Sequence, residues 1–323
     1  MRADPPRTAP PWAPNLLLIL ALLLALLSLG LGAAPLATGD GVDWALIRDS
    51  RLPRTLAAII AGAALSVAGT ILQMLVRNRF VEPMTAGTGQ GAAAGILAVS
   101  LIFPAAPVAA KMAGAALAAL AASAAYLALV RRLPVTQPVL VPLTGLVFGG
   151  VIGAAVTFVA YQGDLLQYAE IWLAGDFSGV MRGRYELLWI AAAVAAAAYL
   201  VADRFAIAGL GRDASLSLGL NYRATMALGL LAIAVVAALC VVTVGMIPFV
   251  GLVVPNAISR RLGDNLRRSL PATALAGAAL VLASDMLGRV LRHPFEIPVG
   301  TVMGVLGAAA VLWLLYAEPG NGR

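Results

Sequence analysis

Ten apolar runs, each bounded by charge, proline or glycine, follow one another along the chain at 14–37, 52–76, 84–103, 108–130, 138–161, 185–203, 223–244, 247–262, 270–291 and 298–317. A hydrocarbon core of about 30 Å takes roughly 20 helical residues to cross, and most of these runs have that length. Inside lipid the backbone must satisfy its own hydrogen bonds, and continuous Ala/Leu-rich stretches without alternation exclude a membrane β-barrel. The expectation is an all-α membrane protein: one transmembrane domain over residues 1–323, built of ten transmembrane helices. With 61% of the 323 residues hydrophobic and 11% charged, no stretch is left over for a sizeable soluble domain. Arg2 and Arg7 ahead of the apolar stretch Leu16 to Leu31 superficially resemble a secretory signal. That stretch is long enough to span and precedes many equally apolar ones, so it reads as the first transmembrane helix.

The charge balance is basic, with 22 Lys and Arg against 15 Asp and Glu. In a membrane chain such an excess speaks to orientation rather than to nucleic acid, because positive loops stay in the cytoplasm. Placing the N-terminus inside leaves eight cations on the opposite side: Arg48, Arg51, Arg54, Lys111, Arg182, Arg184, Arg289 and Arg292. The remaining fourteen lie on the cytoplasmic side, which supports cytoplasmic N- and C-termini. The exceptions Arg51, Arg54 and Arg289 call for an explanation of their own.

Sliding the chain by 215 positions exposes an internal repeat. Ala61-Gly62-Ala63-Ala64-Leu65 falls on Ala276-Gly277-Ala278-Ala279-Leu280, Arg77 on Arg292, Phe80 on Phe295, Pro83 on Pro298 and Gly89 on Gly304. The repeat maps helices two and three onto nine and ten, so the two hairpins enter from opposite faces. Inverted repeats of this kind characterise transporters, whose pathway runs near the repeat interface.

Small residues recur at a spacing of four: Gly87, Gly91 and Gly95; Gly145, Gly149 and Gly153; Gly300 and Gly304. That spacing lets helix backbones approach closely, and it suits either plain packing or a substrate path with sliding walls. The segment from Gly245 to Asn256 holds two prolines, Pro248 and Pro255, and two glycines. Its backbone is expected to be bent or interrupted, which places Pro255 and Asn256 in the interior near the pathway.

Catalytic constellations are missing. His293 is the single histidine and Cys240 the single cysteine, which together build neither a triad nor a metal site. There is no G-x-x-x-x-G-K-[ST] loop and Lys111 is the only lysine, so the chain cannot cradle ATP in that way. No cofactor is expected on it, and its energy must come from elsewhere. Asp285 and Arg289, four apart near a helix end, are placed to pair on one face. Intramembrane charges of this kind suit a structural pair, a docking site or a proton relay.

The stretch Arg51-Leu52-Pro53-Arg54-Thr55-Leu56, followed by Gly62-Ala63-Ala64-Leu65, Gly69, Gln73, Arg77-Asn78 and Glu82-Pro83, resembles the iron-siderophore and vitamin B12 permease family of ABC importers. So does Phe249-Val250-Gly251-Leu252-Val253-Val254-Pro255 with Asp285, Arg289 and Pro298-Val299-Gly300, and the likeness runs from about residue 45 to 316. The resemblance implies a homodimer of ten-helix subunits in the bacterial cytoplasmic membrane. It also implies a path on the dimer axis, two cytoplasmic ATPase subunits that hold ATP and Mg, and a periplasmic or lipid-anchored binding protein.

Arg51, Arg54 and Arg289 occupy the motif positions whose arginines meet acidic residues of the binding protein; anchoring to lipid headgroups is the competing reading. The cytoplasmic loop 213–222, with Ala214, Ser215, Leu216, Ser217, Leu218, Gly219, Leu220 and Asn221, resembles the coupling helix that sits in a groove of the ATPase. An amphipathic interfacial turn is its alternative.

Asn78-Arg79 replaces the Asn-Pro of many relatives and Asn256 a histidine. With Gly263-Asp264-Asn265-Leu266-Arg267-Arg268 and Pro294-Phe295-Glu296-Ile297-Pro298, this points to a branch serving catecholate-type siderophores, with vitamin B12 and haem as other cargoes. From a different class, an ion-gradient-driven secondary carrier would need no ATPase, and a membrane-embedded enzyme would need a carboxylate cluster inside the helices.

Overall fold

The computed structural model describes residues 13–32, 37–38, 41–85, 87–130 and 140–316. They form α1 (Ala13–Gly30), α2 (Trp44–Leu46), α3 (Leu52–Val76), α4 (Thr88–Ile102), α5 (Val108–Val130), α6 (Leu140–Gln162), α7 (Leu166–Leu173), α8 (Leu187–Leu200), α9 (Ala202–Gly209), α10 (Arg212–Ser217), α11 (Tyr222–Val244), α12 (Val250–Leu262), α13 (Leu266–Leu291) and α14 (Val299–Tyr316). A π-helical turn, Ile47–Arg51, leads into α3, and a 3₁₀ turn, Pro83–Thr85, leads toward α4. Two-residue strands β1 (Ala37–Thr38) and β2 (Gly41–Val42) pair antiparallel. Apart from that short pair, the regular structure of the described residues is helical, as befits a membrane protein.

Among the described residues five helical stretches are long and apolar enough to cross a membrane, at Trp44–Val76, Val108–Val130, Leu140–Gln162, Tyr222–Val244 and Leu266–Leu291. A sixth arises if α8 and α9, bent by 66° at their junction, are one broken span. The expected run 84–103 is shorter, because Gly87 turns left-handed (φ 76°) and α4 starts only at Thr88. The expected helix 247–262 starts at Val250 instead of 247, since Gly245 and Phe249 both take positive φ around Pro248. α1 ends at Gly30 rather than 37, and α13 starts four residues before 270, where the Asn265 side chain accepts from the Arg268 N–H and caps it. α7, inside the connection 162–184, was not anticipated; it is only 8 residues long.

α3 is the axis of the bundle. Its apolar residues are buried nearly all round, and it packs against α13, α11, α12, α8 and α9. In lipid such packing rests on close van der Waals fit rather than on water exclusion, so small residues decide where helices cross. At the α3–α13 crossing Gly62 faces Gly277. A Cβ on either glycine would lie 2.3 Å from the other's carbonyl oxygen, which no side chain tolerates. These two residues are 215 positions apart, the register of the sequence repeat. Their neighbours obey it as well: Gly62 meets Val281, and Gly277 meets Ser66. α6, in contrast, leaves most of its surface exposed.

Candidate functional site

At the end of the bundle where α3 begins and α13 finishes, five charged side chains converge. Arg54 Nη2 donates to Asp285 Oδ1 at 2.8 Å, its Nε to both Asp285 oxygens at 3.3 Å, and its Nη1 to Glu296 Oε2 at 2.8 Å. Arg289 Nη2 reaches the other Asp285 oxygen at 2.5 Å, the i,i+4 pair that the spacing suggested. The same guanidinium donates to the carbonyls of Ser28 (3.1 Å) and Leu31 (2.9 Å) and to the Ser28 hydroxyl (2.7 Å). Arg51 Nη1 donates to the carbonyls of Leu29 (2.7 Å) and Gly30 (3.1 Å). Arginines therefore satisfy the last carbonyls of α1, which otherwise have no intrahelical partner. Three guanidiniums and two carboxylates thereby fasten α1, α3, α13 and the 292–298 turn together.

The structure places Arg51, Arg54 and Arg289, the residues expected at the docking surface, inside this cluster. Arg51 and Arg289 are each 6% exposed, and the hydrogen bonds above turn Nη1 of Arg51 and both Nη groups of Arg289 onto the chain itself. The Arg54 side chain is 13% exposed and faces inward onto Asp285. Exposed cations stand beside them instead: Arg48 (67%) and Arg182 (62%) flank Asp49, with Trp44 (73%) and Met181 (50%) alongside. The Arg182 N–H donates to the Asp49 carbonyl at 3.0 Å, which brings the two segments into one patch. Sequence reading placed Arg48 and Arg182 at this end but could not separate them from the buried arginines.

The non-helical stretches that follow α7 and α11 meet each other and the first turn of α14. Met246 N–H donates to Leu173 O (3.2 Å), Asp176 N–H to Val244 O (2.9 Å) and Gly300 N–H to Gly175 O (2.8 Å). A Cβ at Gly300 would sit 2.8 Å from the Met246 carbonyl. The interrupted backbone is thus satisfied by protein, as hydrocarbon requires. Pro255, inside α12, has no N–H for the Gly251 carbonyl one turn back; Gln73 Nε2 supplies that donor from α3 at 3.1 Å. Asn256 is buried and its Nδ2 donates to Arg79 O and Leu252 O, both at 2.8 Å. Glu82, 1% exposed, lies against the backbone of Phe249 at the head of α12. None of Gln73, Glu82 and Phe249 was singled out from the sequence as part of this node, although all three lie in the motifs that carried the resemblance.

The glycines expected at the pathway behave differently from one another. Gly91 packs on Ala118 and Ala122 of α5, and Gly149 on Gly87 with Gln90 beside it. Gly145 is buried in α6. Gly304 has open space where a Cβ would stand, so close helix packing does not explain it.

At the opposite end the 213–222 segment folds as a shorter helix than expected. α10 covers Arg212–Ser217; Leu218 ends it, Gly219 turns left-handed (φ 74°) and the Asn221 side chain caps α11, which already includes Tyr222. Ser215 is buried and donates to the carbonyls of Ile207 (3.0 Å) and Gly211 (2.6 Å), which fixes the turn to α9. Ser217 donates to Asp213 O at 2.8 Å, and Ala214 lies half-buried. Leu216 and Leu218 are 54% and 63% exposed, while Leu220 packs partly on the core. The turn therefore presents an apolar knob of two exposed leucines, rather than three. Beside it a crevice of about 250 Å³ runs between α3, α12 and α13, rimmed by Arg77, Arg79 and Asp264.

The sequence profile of the FecCD transport family matches residues 16–317. Among known proteins the chain is 40% identical over 304 residues to the petrobactin import system permease protein YclN of Bacillus subtilis, covering 93% of this chain and 96% of that one. It is 41% identical over 280 residues to the ferric-anguibactin transport system permease protein FatD of Vibrio anguillarum (87% and 89%). To the vitamin B12 import system permease protein BtuC of Vibrio cholerae it is 34% identical over 286 residues (87% and 86%). Its fold is shared with a solved inward-facing metal-chelate type ABC transporter chain at a TM-score of 0.81, with 24% identity over 95% of this chain and 99% of the other.

Proposed function

The chain belongs to the FecCD transport family, and from that premise we propose that it is the permease subunit of an ABC importer that carries a ferric siderophore across the bacterial cytoplasmic membrane. The observation that carries this reading is full-length similarity, at 40% and 41% identity, to permeases named for petrobactin and ferric-anguibactin. Vitamin B12 and haem permeases lie further off, at 34% identity each, which ranks those cargoes behind. The permease does no bond chemistry; ATP and Mg belong to a separate ATPase.

In this reading the chain crosses the membrane ten times, with α4, α12 and the bent α8–α9 counted as spans and both termini in the cytoplasm. Two copies pair around a common path, and α6, largely uncovered in the single chain, suits that contact. The register of Gly62 and Gly277 supports an inverted repeat whose two hairpins cross at those residues. The Arg48, Arg182, Trp44 and Met181 patch then faces outward and receives an acidic surface of the binding protein, since arginine, tryptophan and methionine are favoured at interface cores. The Arg54, Asp285 and Arg289 cluster holds the helices beneath that patch. Leu216 and Leu218 face the cytoplasm and seat in the ATPase.

Reconstitution tests the reading. Vesicles holding the permease, its ATPase and its binding protein are expected to take up ferric siderophore only with ATP. Uptake by the permease alone on a proton or sodium gradient would identify a secondary carrier instead. Affinities of the binding protein for ferric siderophores, haem and cobalamin separate the cargoes.

A further inference from the structure

A groove of about 430 Å³ runs between α3, α8 and α13. Its depth comes from alanines, among them Ala63 on α3, Ala195 on α8 and Ala274 on α13, where any larger side chain would fill it. Tyr199 is the one polar side chain in its lining, and Ile59 and Val67 mark its ends on α3. Eight helical rises separate those two residues, about 12 Å, close to the roughly 15 Å depth of one leaflet of a 30 Å hydrocarbon core. The space offers water almost no hydrogen-bond partner, so an apolar occupant is favoured.

The Tyr199 end of the groove is cationic. There α8 gives way to α9 and α13 begins, with Arg204 and Arg268 exposed; Arg267, next to Arg268, is neutralised by Asp203 of α9. Arg268 precedes Pro271 of the groove by three residues and so shares its helix face. An aromatic hydroxyl and two free arginines at the mouth of an apolar slot match a lipid whose phosphate lies at the interface and whose tail runs inward.

We propose that this groove seats one acyl chain of an anionic phospholipid, with the headgroup phosphate held beside Tyr199 by Arg204 and Arg268. A second copy of the chain is a poor occupant: a symmetric contact would set each subunit's Arg204 and Arg268 against the same residues of its mate, and like charges facing each other oppose association.

The test counts lipids and needs no transport. Chain purified in mild detergent is stripped of bulk lipid, offered phosphatidylglycerol or phosphatidylcholine vesicles, and weighed intact by native mass spectrometry. Wild type is expected to retain one phosphatidylglycerol per chain in preference to phosphatidylcholine. Ala195→Phe, which fills the slot, is expected to retain none. The surface double variant Arg204→Gln/Arg268→Gln, which leaves the packing alone, is expected to bind phosphatidylglycerol about 30-fold more weakly, on the scale of two arginines acting on an anionic headgroup. Equal retention of the two lipids by wild type, or undiminished phosphatidylglycerol on the double variant, would overturn the proposal. So would a photo-crosslinker at position 195 that captures a second copy, or residues 1–11 of the same chain, in place of lipid.

Discussion

Arg54 and Asp285 stand 231 positions apart and meet through three N–H to carboxylate hydrogen bonds, the shortest 2.8 Å. Arg289 holds the same carboxylate from the next turn of α13. Asp285 is thus the shared acceptor of two guanidiniums inside a bundle whose surroundings are largely apolar. Removing one member leaves the others charged and uncompensated, which costs more than the pair contributes.

Asp285→Ala is therefore expected to lower stability by about 3 to 5 kcal/mol, read as a fall in the unfolding midpoint in detergent. Replacing Asp285 and Arg289 together should cost less than the sum of the two single changes, because the pair is directly coupled. Additive losses would show that the contact holds nothing.

The Gly62 and Gly277 crossing makes a sharper demand. Gly62→Val drives a side chain into the Gly277 carbonyl, which a Cβ would meet at 2.3 Å, and is expected to abolish folded, monodisperse protein. Gly304→Ala, with nothing within 4 Å, should change stability by less than about 0.5 kcal/mol.

Gln73 and Pro255 form an unusual compensating pair. Gln73→Leu leaves the Gly251 carbonyl without its side-chain donor and should cost about 1 to 3 kcal/mol. In a Pro255→Ala background the restored N–H at position 255 can reach that carbonyl, so the same change should cost much less. A double-mutant cycle by chemical denaturation measures the coupling, and a value near zero would argue that Gln73 is not the substitute donor.

Charge reversal at Arg48 and Arg182 is expected to slow association with the binding protein by at least about tenfold at low salt and to flatten its salt dependence. Arg51→Leu should instead lower the unfolding midpoint and leave the association rate of the surviving folded fraction near wild type. Stopped-flow binding at two ionic strengths distinguishes the two arginines.

Leu216→Asp with Leu218→Asp should abolish stimulation of the ATPase by the permease while the unfolding midpoint stays within a few degrees, since both side chains are more than half exposed. Unchanged stimulation would exclude the α10 knob from coupling.

Much of this was legible in the order of residues. Long apolar runs announce a membrane bundle because hydrocarbon leaves the backbone no partner but itself. The 215-residue register aligned Gly62 with Gly277, though only the fold showed that the two touch, and the i,i+4 spacing put Asp285 beside Arg289. The breaks were harder to place. The run from 247 to 249 is as apolar as a helix, yet Gly245, Pro248 and Phe249 turn it into a bend, and α12 starts only at Val250. Phe249 holds a left-handed φ of 67°, a conformation with no local signature in a bulky residue. Leu216, Leu218 and Leu220 look alike as letters; only the fold of the turn packs the third partly against the core.

Composition and motif spacing by themselves determined that this chain dissolves in lipid and which family it belongs to, because both depend on residue type and on neighbours a few positions away. Which arginines face outward was decided only in three dimensions. Arg48 and Arg51 sit three residues apart, yet Arg51 is buried against the end of α1 while Arg48 remains at the surface. Arg54 is held by acids from 231 and 242 positions along the chain. A charge is free or spent according to what folding brings beside it, and that neighbour cannot be read from the charge.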